Sequence, residues 1–146
     1  MSPNIKKAHS VSKLVYHLVC PVKYRRKVFT RDNEGTLKEI CLELEKRYEI
    51  NFLEIGLDTD HVHFLIQSIP NISPAELANT IKGNTSREFF IQHPEVKTFL
   101  WGGNFWTAGY YINTVGNANI SIVKNYVKKQ GYPEYKQLHH AQPKLF

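Results

Sequence analysis

Cysteine is scarce, with Cys20 and Cys41 the two thiols in 146 residues. That count speaks against a disulfide-stapled secreted scaffold. Both thiols fall in segments that read as strand and helix, so they are expected buried and reduced. No apolar run approaches the roughly 20 residues that span a bilayer. The start, Met1-Ser2-Pro3-Asn4-Ile5-Lys6-Lys7, lacks the apolar stretch of a signal peptide, and a soluble cytoplasmic protein is expected. Internal repeats and low-complexity tracts are missing too, and 42% hydrophobic with 22% charged residues excludes a disordered or collagen-like chain. What is abundant is positive charge: 19 Lys+Arg against 13 Asp+Glu leaves +6, with a pI near 9.3. Together with 12% aromatic residues, this balance suits a protein that meets polyphosphates and stacks on bases. The length fits one domain over 1–146, with a core from about 10 to 131 and a polar, basic tail over 132–146.

From Val11 to Val22, β-branched and aromatic residues alternate, Leu14, Tyr16, Leu18 and Cys20 against Val15, His17 and Val19, which predicts a mostly buried first strand. A basic cluster follows, then a helix whose apolar positions Leu37, Ile40, Cys41, Leu44 and Tyr48 recur at three- and four-residue steps. Residues 50 to 58 read as a second strand, and Thr59-Asp60 turns tightly into a third from His61 to Ser68. Ser73-Pro74-Ala75-Glu76 combines a capping serine, a first-turn proline and a glutamate three residues after the cap, opening a helix to about Phe90. A loop rich in glycine and aromatics, Trp101 to Trp106, leads to a fourth strand near Gly109 to Val115. A last helix, from about Asn119 to Gln130, is closed by Gly131 and Pro133. The order β-α-β-β-α-β-α predicts an α+β, ferredoxin-like split βαβ sandwich with an antiparallel sheet and an extra C-terminal helix.

Successive strand residues face opposite ways, so His61, His63, Leu65 and Gln67 share one side of the third strand while Val62, Phe64 and Ile66 take the other. The imidazoles lie about 7 Å apart along the strand, a spacing from which two can ligate one divalent metal. The same pair could equally line the open face of a half-covered sheet. On the last helix Tyr126 and Gln130, four residues apart, are neighbours on one face, while Ile120, Val123 and Val127 supply a packing stripe. A tyrosine phenol can attack a phosphodiester when its proton is removed and the phosphate polarised. An amide oxygen such as that of Gln130 can complete a metal site beside two histidines. Periodicity leaves Tyr110, Tyr111, Tyr132 and Tyr135 open as nucleophiles.

Four segments in order carry a resemblance: Tyr16 to Phe29, His61-Val62-His63, the run Trp101 to Gly116, and Asn125-Tyr126 to Gly131. Together they resemble the small TnpA-type transposases of single-stranded insertion sequences, members of the histidine-hydrophobe-histidine nuclease superfamily with one catalytic tyrosine. The resemblance implies a ferredoxin-like homodimer that binds hairpin ends of an insertion sequence and cleaves and rejoins single-stranded DNA through a 5′-phosphotyrosine. It implies Tyr126 as nucleophile, His61, His63 and Gln130 as metal ligands, and Mg²⁺ or Mn²⁺ as the metal. Energy is kept in the covalent bond, so no nucleotide cofactor is expected, in keeping with the lack of a GxxxxGK[ST] loop. In the family the tyrosine helix of one subunit can complete its partner's site, and Gly116 to Asn119 is the linker that would allow it. A prokaryotic, nucleoid-associated protein follows from this reading.

Lys23, Arg25, Arg26 and Lys27 form the densest basic cluster and are the expected DNA-binding residues, with Lys82, Arg87, Lys124, Lys128 and Lys129 as further backbone contacts. Trp101, Phe105 and Trp106 either stack on unpaired bases or plug the end of the core. The competing readings are a rolling-circle initiator or relaxase, a repeat-associated relative, and a non-catalytic binder of single strands.

Overall fold

The computed structural model describes residues 14–131. Strand β1 (Leu14–Pro21) is followed by helix α1 (Glu34–Arg47), the hairpin of β2 (Asn51–Leu57) and β3 (His61–Ser68), helix α2 (Pro74–Gln92), strand β4 (Tyr111–Thr114) and helix α3 (Ile120–Lys128). The strands form one antiparallel sheet in the order β2-β3-β1-β4, which is the ferredoxin-like arrangement the element order predicts. Its central pair is β1 and β3, with Val19 opposite His63 and His17 opposite Leu65.

Alternation sorts the side chains of β1 and β3 between two layers. Tyr16, Leu18 and Cys20 join Val62, Phe64 and Ile66 in the main core, against Leu37, Ile40, Cys41 and Leu44 of α1 and Leu77, Ala78, Ile81 and Phe89 of α2. On the opposite face Val15 and Leu65 pack with Tyr126 and Val127 of α3. Every residue of β3 is buried as a result. Each fully buried side chain such as Leu18 or Phe64 contributes about 1.5–3 kcal/mol, so the histidine strand sits in the most firmly held part of the molecule. Both cysteines are free and buried in the main core.

Helix α2 starts where its capping sequence predicts: the Ser73 hydroxyl accepts from Glu76 N–H at 3.1 Å, with Pro74 in the first turn. It runs two residues past Phe90, to Gln92, before His93-Pro94 diverts the chain into 3₁₀ turns. The aromatic loop divides in two. Phe105 and Trp106 are buried against Phe29 and Phe89, and Trp106 Nε1–H donates to Thr85 Oγ1 at 3.0 Å, whereas Trp101 is 72% exposed. Strand β4 is shorter than its sequence pattern, four residues rather than seven. Gly116 to Asn119 is a 3₁₀ turn closed by Asn119 N–H onto Gly116 O, so the expected linker is ordered as the entry to α3. The start of the expected first strand, 11–13, and the tail over 132–146 lie outside the described residues.

Candidate active site

Strand β3 presents His61 and His63 on the face away from α1 and α2, as its alternation predicts, with ring centroids 5.1 Å apart. Each ring is held through Nδ1. His61 Nδ1 lies 2.7 Å from Asp60 Oδ1, and Asp60 in turn accepts from Arg25 Nε at 3.2 Å and Nη2 at 3.4 Å. Burial pulls the Asp60 carboxyl upward, but the hydrogen bonds of His61 and Arg25 and the arginine charge outweigh it and hold it below its ordinary value. His63 Nδ1 lies 2.8 Å from Nε2 of the buried His17, the two rings meeting edge to edge with centroids 5.1 Å apart and planes 25° apart. Burial pushes the His17 imidazole down to about 4, so it is neutral near pH 7.

Helix α3 brings Tyr126 onto this cluster. The buried tyrosine ring meets His63 edge-on at 5.5 Å and His17 at 6.1 Å. The close approach depends on Gly56, which pairs with His63 across the β2–β3 ladder. A Cβ placed there would sit 1.7 Å from Val127 O and 3.2 Å from Gln130 Cβ, so the helix backbone occupies the space a side chain would fill. A register shift between Phe52 and Glu54 makes this possible. Simple alternation from Phe52 would turn Gly56 toward the main core, and the bulge flips it to the site face. Beyond the helix Gly131, with φ +86°, reverses the chain against Leu57 O.

Gln130 therefore lies over the strand position next to His63, and its Nε2 donates to Tyr126 O at 3.3 Å. The structure brings four predicted or adjacent elements together within a single chain: His61, His63, Tyr126 and the turn bearing Gln130. Among the described residues no group of three or more His, Cys, Asp or Glu side chains is arranged to hold a metal ion. Both imidazoles have Nδ1 engaged, so Nε2 is the atom each would offer a metal, and Gln130, its amide bonded to Tyr126 O, would supply a neutral oxygen. That donor set fits a divalent cation bound through imidazole nitrogen and a neutral oxygen.

The basic cluster is less uniform than its sequence. Lys23–Arg25 form a 3₁₀ turn in which Tyr24 (φ 59°) and Arg25 (φ 53°) adopt left-handed backbone, costly for residues with a Cβ. Arg25 is committed to Asp60, whereas Arg26 and Lys27 are exposed. Lys23 lines a cavity of about 310 Å³ with Lys82, Ser86, Asn104 and Trp106. Lys82 Nζ donates to Thr107 O at 2.9 Å and Ala108 O at 3.1 Å, and burial lowers its pKa. Lys124, Lys128 and Lys129 are exposed on or beside α3, and Arg87 bonds Asn84. Sequence reasoning missed His17, Asp60 and Gly56. The one local sign among them is a glycine inside a strand, which marks a close backbone approach.

A tyrosine helix lowered onto paired histidines of a ferredoxin-like sheet, in a basic chain, defines a candidate centre for phosphodiester chemistry on nucleic acid. Residues 10–130 match the family described as "Transposase IS200 like", and the chain belongs to that family of DNA transposases. It is 31% identical over 120 residues to the ISDra2 transposase TnpA of Deinococcus radiodurans, covering 82% of this chain and 86% of that one. It is 30% identical over 123 residues to the transposase of insertion sequence element IS200 from Salmonella typhimurium, covering 84% and 80%. Among solved structures, a transposase of Deinococcus radiodurans R1 superposes with a TM-score of 0.68 at 28% identity, over 83% of this chain and 93% of that one. A REP-associated tyrosine transposase bound to a REP hairpin shares the fold, with a TM-score of 0.58 at 11% identity, over 89% and 70%. Among the described residues no helix is long and apolar enough to cross a membrane.

Proposed function

We propose that this transposase binds the hairpin ends of an insertion sequence and cleaves and rejoins single-stranded DNA through a 5′-phosphotyrosine on Tyr126. The observation that carries the reading is the packing of Tyr126 against His63, 5.5 Å between ring centroids, on a helix that a glycine lets down onto the sheet. His61, His63 and Gln130 are the residues that would hold Mg²⁺ or Mn²⁺. When bound, such an ion supplies Lewis-acid charge at the scissile phosphate.

In the first step the Tyr126 phenol oxygen forms a bond to phosphorus and the P–O3′ bond breaks. The phenol proton is passed on to the departing 3′ oxygen through solvent, leaving a 3′-hydroxyl and a 5′-phosphotyrosine. Rejoining reverses the exchange: a 3′-hydroxyl attacks the phosphotyrosine and the phenol is released. No energy from outside the bond is spent, and no nucleotide cofactor is needed. Arg26, Lys27 and Lys23 provide phosphate contacts near the end of β1, with Arg25 shared between DNA and Asp60.

Tyr126 packs against the histidines of its own chain. We read the working enzyme as a homodimer acting on the two ends of its element, associated with the nucleoid of a prokaryotic cell. The hairpin bound by the REP-associated transposase is a precedent for the ligand class. The test incubates the protein with Mn²⁺ and labelled single-stranded DNA bearing the hairpin end of its own element. A denaturant-resistant adduct is expected, lost in Tyr126→Phe and on chelation. Hairpin binding that yields no adduct on any candidate end would replace this reading with that of a non-catalytic single-strand binder.

A further inference from the structure

Two histidines can share a metal only if each offers a bare nitrogen to it, and an imidazole that is neutral carries its one proton on either Nδ1 or Nε2. Something must therefore choose the tautomer. For His61 the neighbour at Nδ1 is the carboxylate of Asp60, which has no proton to give and so calls for Nδ1–H. For His63 the neighbour is another imidazole. His17 stands on β1 diagonally across from His63, since Val19 is the residue directly opposite it, and diagonal neighbours on one face are within reach of aromatic side chains. The Nε2 of His17 lies 2.8 Å from Nδ1 of His63 with the rings nearly parallel, 25° apart, and His17 is buried.

We propose that His17 is a positioning residue of this site: its Nε2 accepts the Nδ1–H of His63, which leaves His63 Nε2 without a proton and directed to the metal. The assignment rests on the reading of His61 and His63 as metal ligands. The opposite arrangement, His17 donating to a bare His63 Nδ1, would put the proton of His63 on Nε2 and bar a cation from that atom. His17 is not a third ligand in this account, because its own Nε2 is spent on the bond. The near-coplanar bond to His17, with Tyr126 edge-on to both rings, also fixes the tilt of the His63 ring.

The full chain, free of metal and labelled with ¹⁵N at histidine, gives the tautomers directly from long-range ¹⁵N–¹H correlation spectra. The wild-type protein is expected to show His63 protonated at Nδ1 and bare at Nε2. In His17→Phe, which keeps an aromatic ring but no acceptor, His63 is expected to shift toward the Nε2–H form. Mn²⁺ affinity, read by electron paramagnetic resonance in the absence of DNA, should fall about 10- to 100-fold. His17→Gln places an amide oxygen at the same reach, and should restore the Nδ1–H tautomer and most of the affinity. A wild-type His63 protonated at Nε2 overturns the proposal without any variant. So does a His17→Phe protein whose His63 tautomer and Mn²⁺ affinity both match wild type. His63→Ala separates the two claims: if Mn²⁺ binding does not depend on His63, the metal reading fails, while the spectra still decide whether His17 sets the tautomer.

Discussion

Gly56 is the position where a single methyl group tests the architecture of the site. In Gly56→Ala the new Cβ would lie 1.7 Å from Val127 O and 2.8 Å from Val127 C. Ordinary contact is on the order of 3.5 Å, so α3 must lift from β2 by about 1.8 Å at that turn. Tyr126 precedes Val127 and is carried with it, away from His63. Overpacking of this kind costs about 1–3 kcal/mol, and the lower entropy of the unfolded alanine chain returns about 0.4–1 kcal/mol, leaving a net loss near 1–2 kcal/mol. The effect on chemistry is larger, because displacement of a reacting group by about 1 Å can cost on the order of 10²-fold in rate. Gly83 is the matched control: it lies inside α2 with nothing within 4 Å of its would-be Cβ, so Gly83→Ala should stabilise by about 1 kcal/mol. Urea denaturation reads the stabilities and single-turnover formation of the covalent DNA adduct reads the chemistry. A Gly56→Ala protein as stable as wild type and forming adduct at the wild-type rate would refute the claim that α3 is seated by the missing side chain.

Further outcomes follow from the same structure. Burial pushes the Cys20 thiol up to about 12 and raises Cys41 as well. Both should resist a thiol reagent at pH 8 in the folded protein and react at once in denaturant, and rapid labelling of the native chain would contradict their burial. Replacing Lys23, Arg26 and Lys27 together with alanine should flatten the plot of log affinity against log salt by about 2 for single-stranded DNA, if each meets one phosphate, and an unchanged slope would remove the loop from the interface. The two tryptophans should separate cleanly. Trp106→Ala, in the core, should cost about 3–5 kcal/mol of stability, whereas Trp101→Ala should leave stability within about 0.5 kcal/mol and, if Trp101 stacks on a base, weaken single-strand binding by about 1–3 kcal/mol.

How far the sequence reaches depends on the range of the interaction involved. The β3 histidines are legible because strand alternation has a period of two, and the packing follows it, with Val62, Phe64 and Ile66 in the main core and Leu65 on the site face beside Tyr126. The start of α2 is legible because its capping serine, proline and glutamate are contiguous. His17 is different. Its alternation in β1 is visible, but its partner is 46 residues away and is set by the β1–β3 register, which no local pattern encodes. Gly56 was hidden by the bulge at Phe52/Glu54, which reverses the face that simple alternation assigns to it. Asp60 reads as a turn residue and is one, yet the same carboxylate also joins His61 to Arg25. Loop aromatics resist assignment because composition does not say which of them the chain turns inward: Phe105 and Trp106 close the core and Trp101 does not.

The identity of the residue that carries DNA is the most direct test of Tyr126 as the nucleophile. Adduct formed on a hairpin-bearing single strand can be digested with protease and nuclease, and the modified peptide located by mass spectrometry. The expected result is a nucleotide joined through its 5′-phosphate to Tyr126. A nucleotide on Tyr110, Tyr111 or any other residue, or a linkage through a 3′-phosphate, would contradict the assignment of the Tyr126 phenol, poised over His63, as the attacking group.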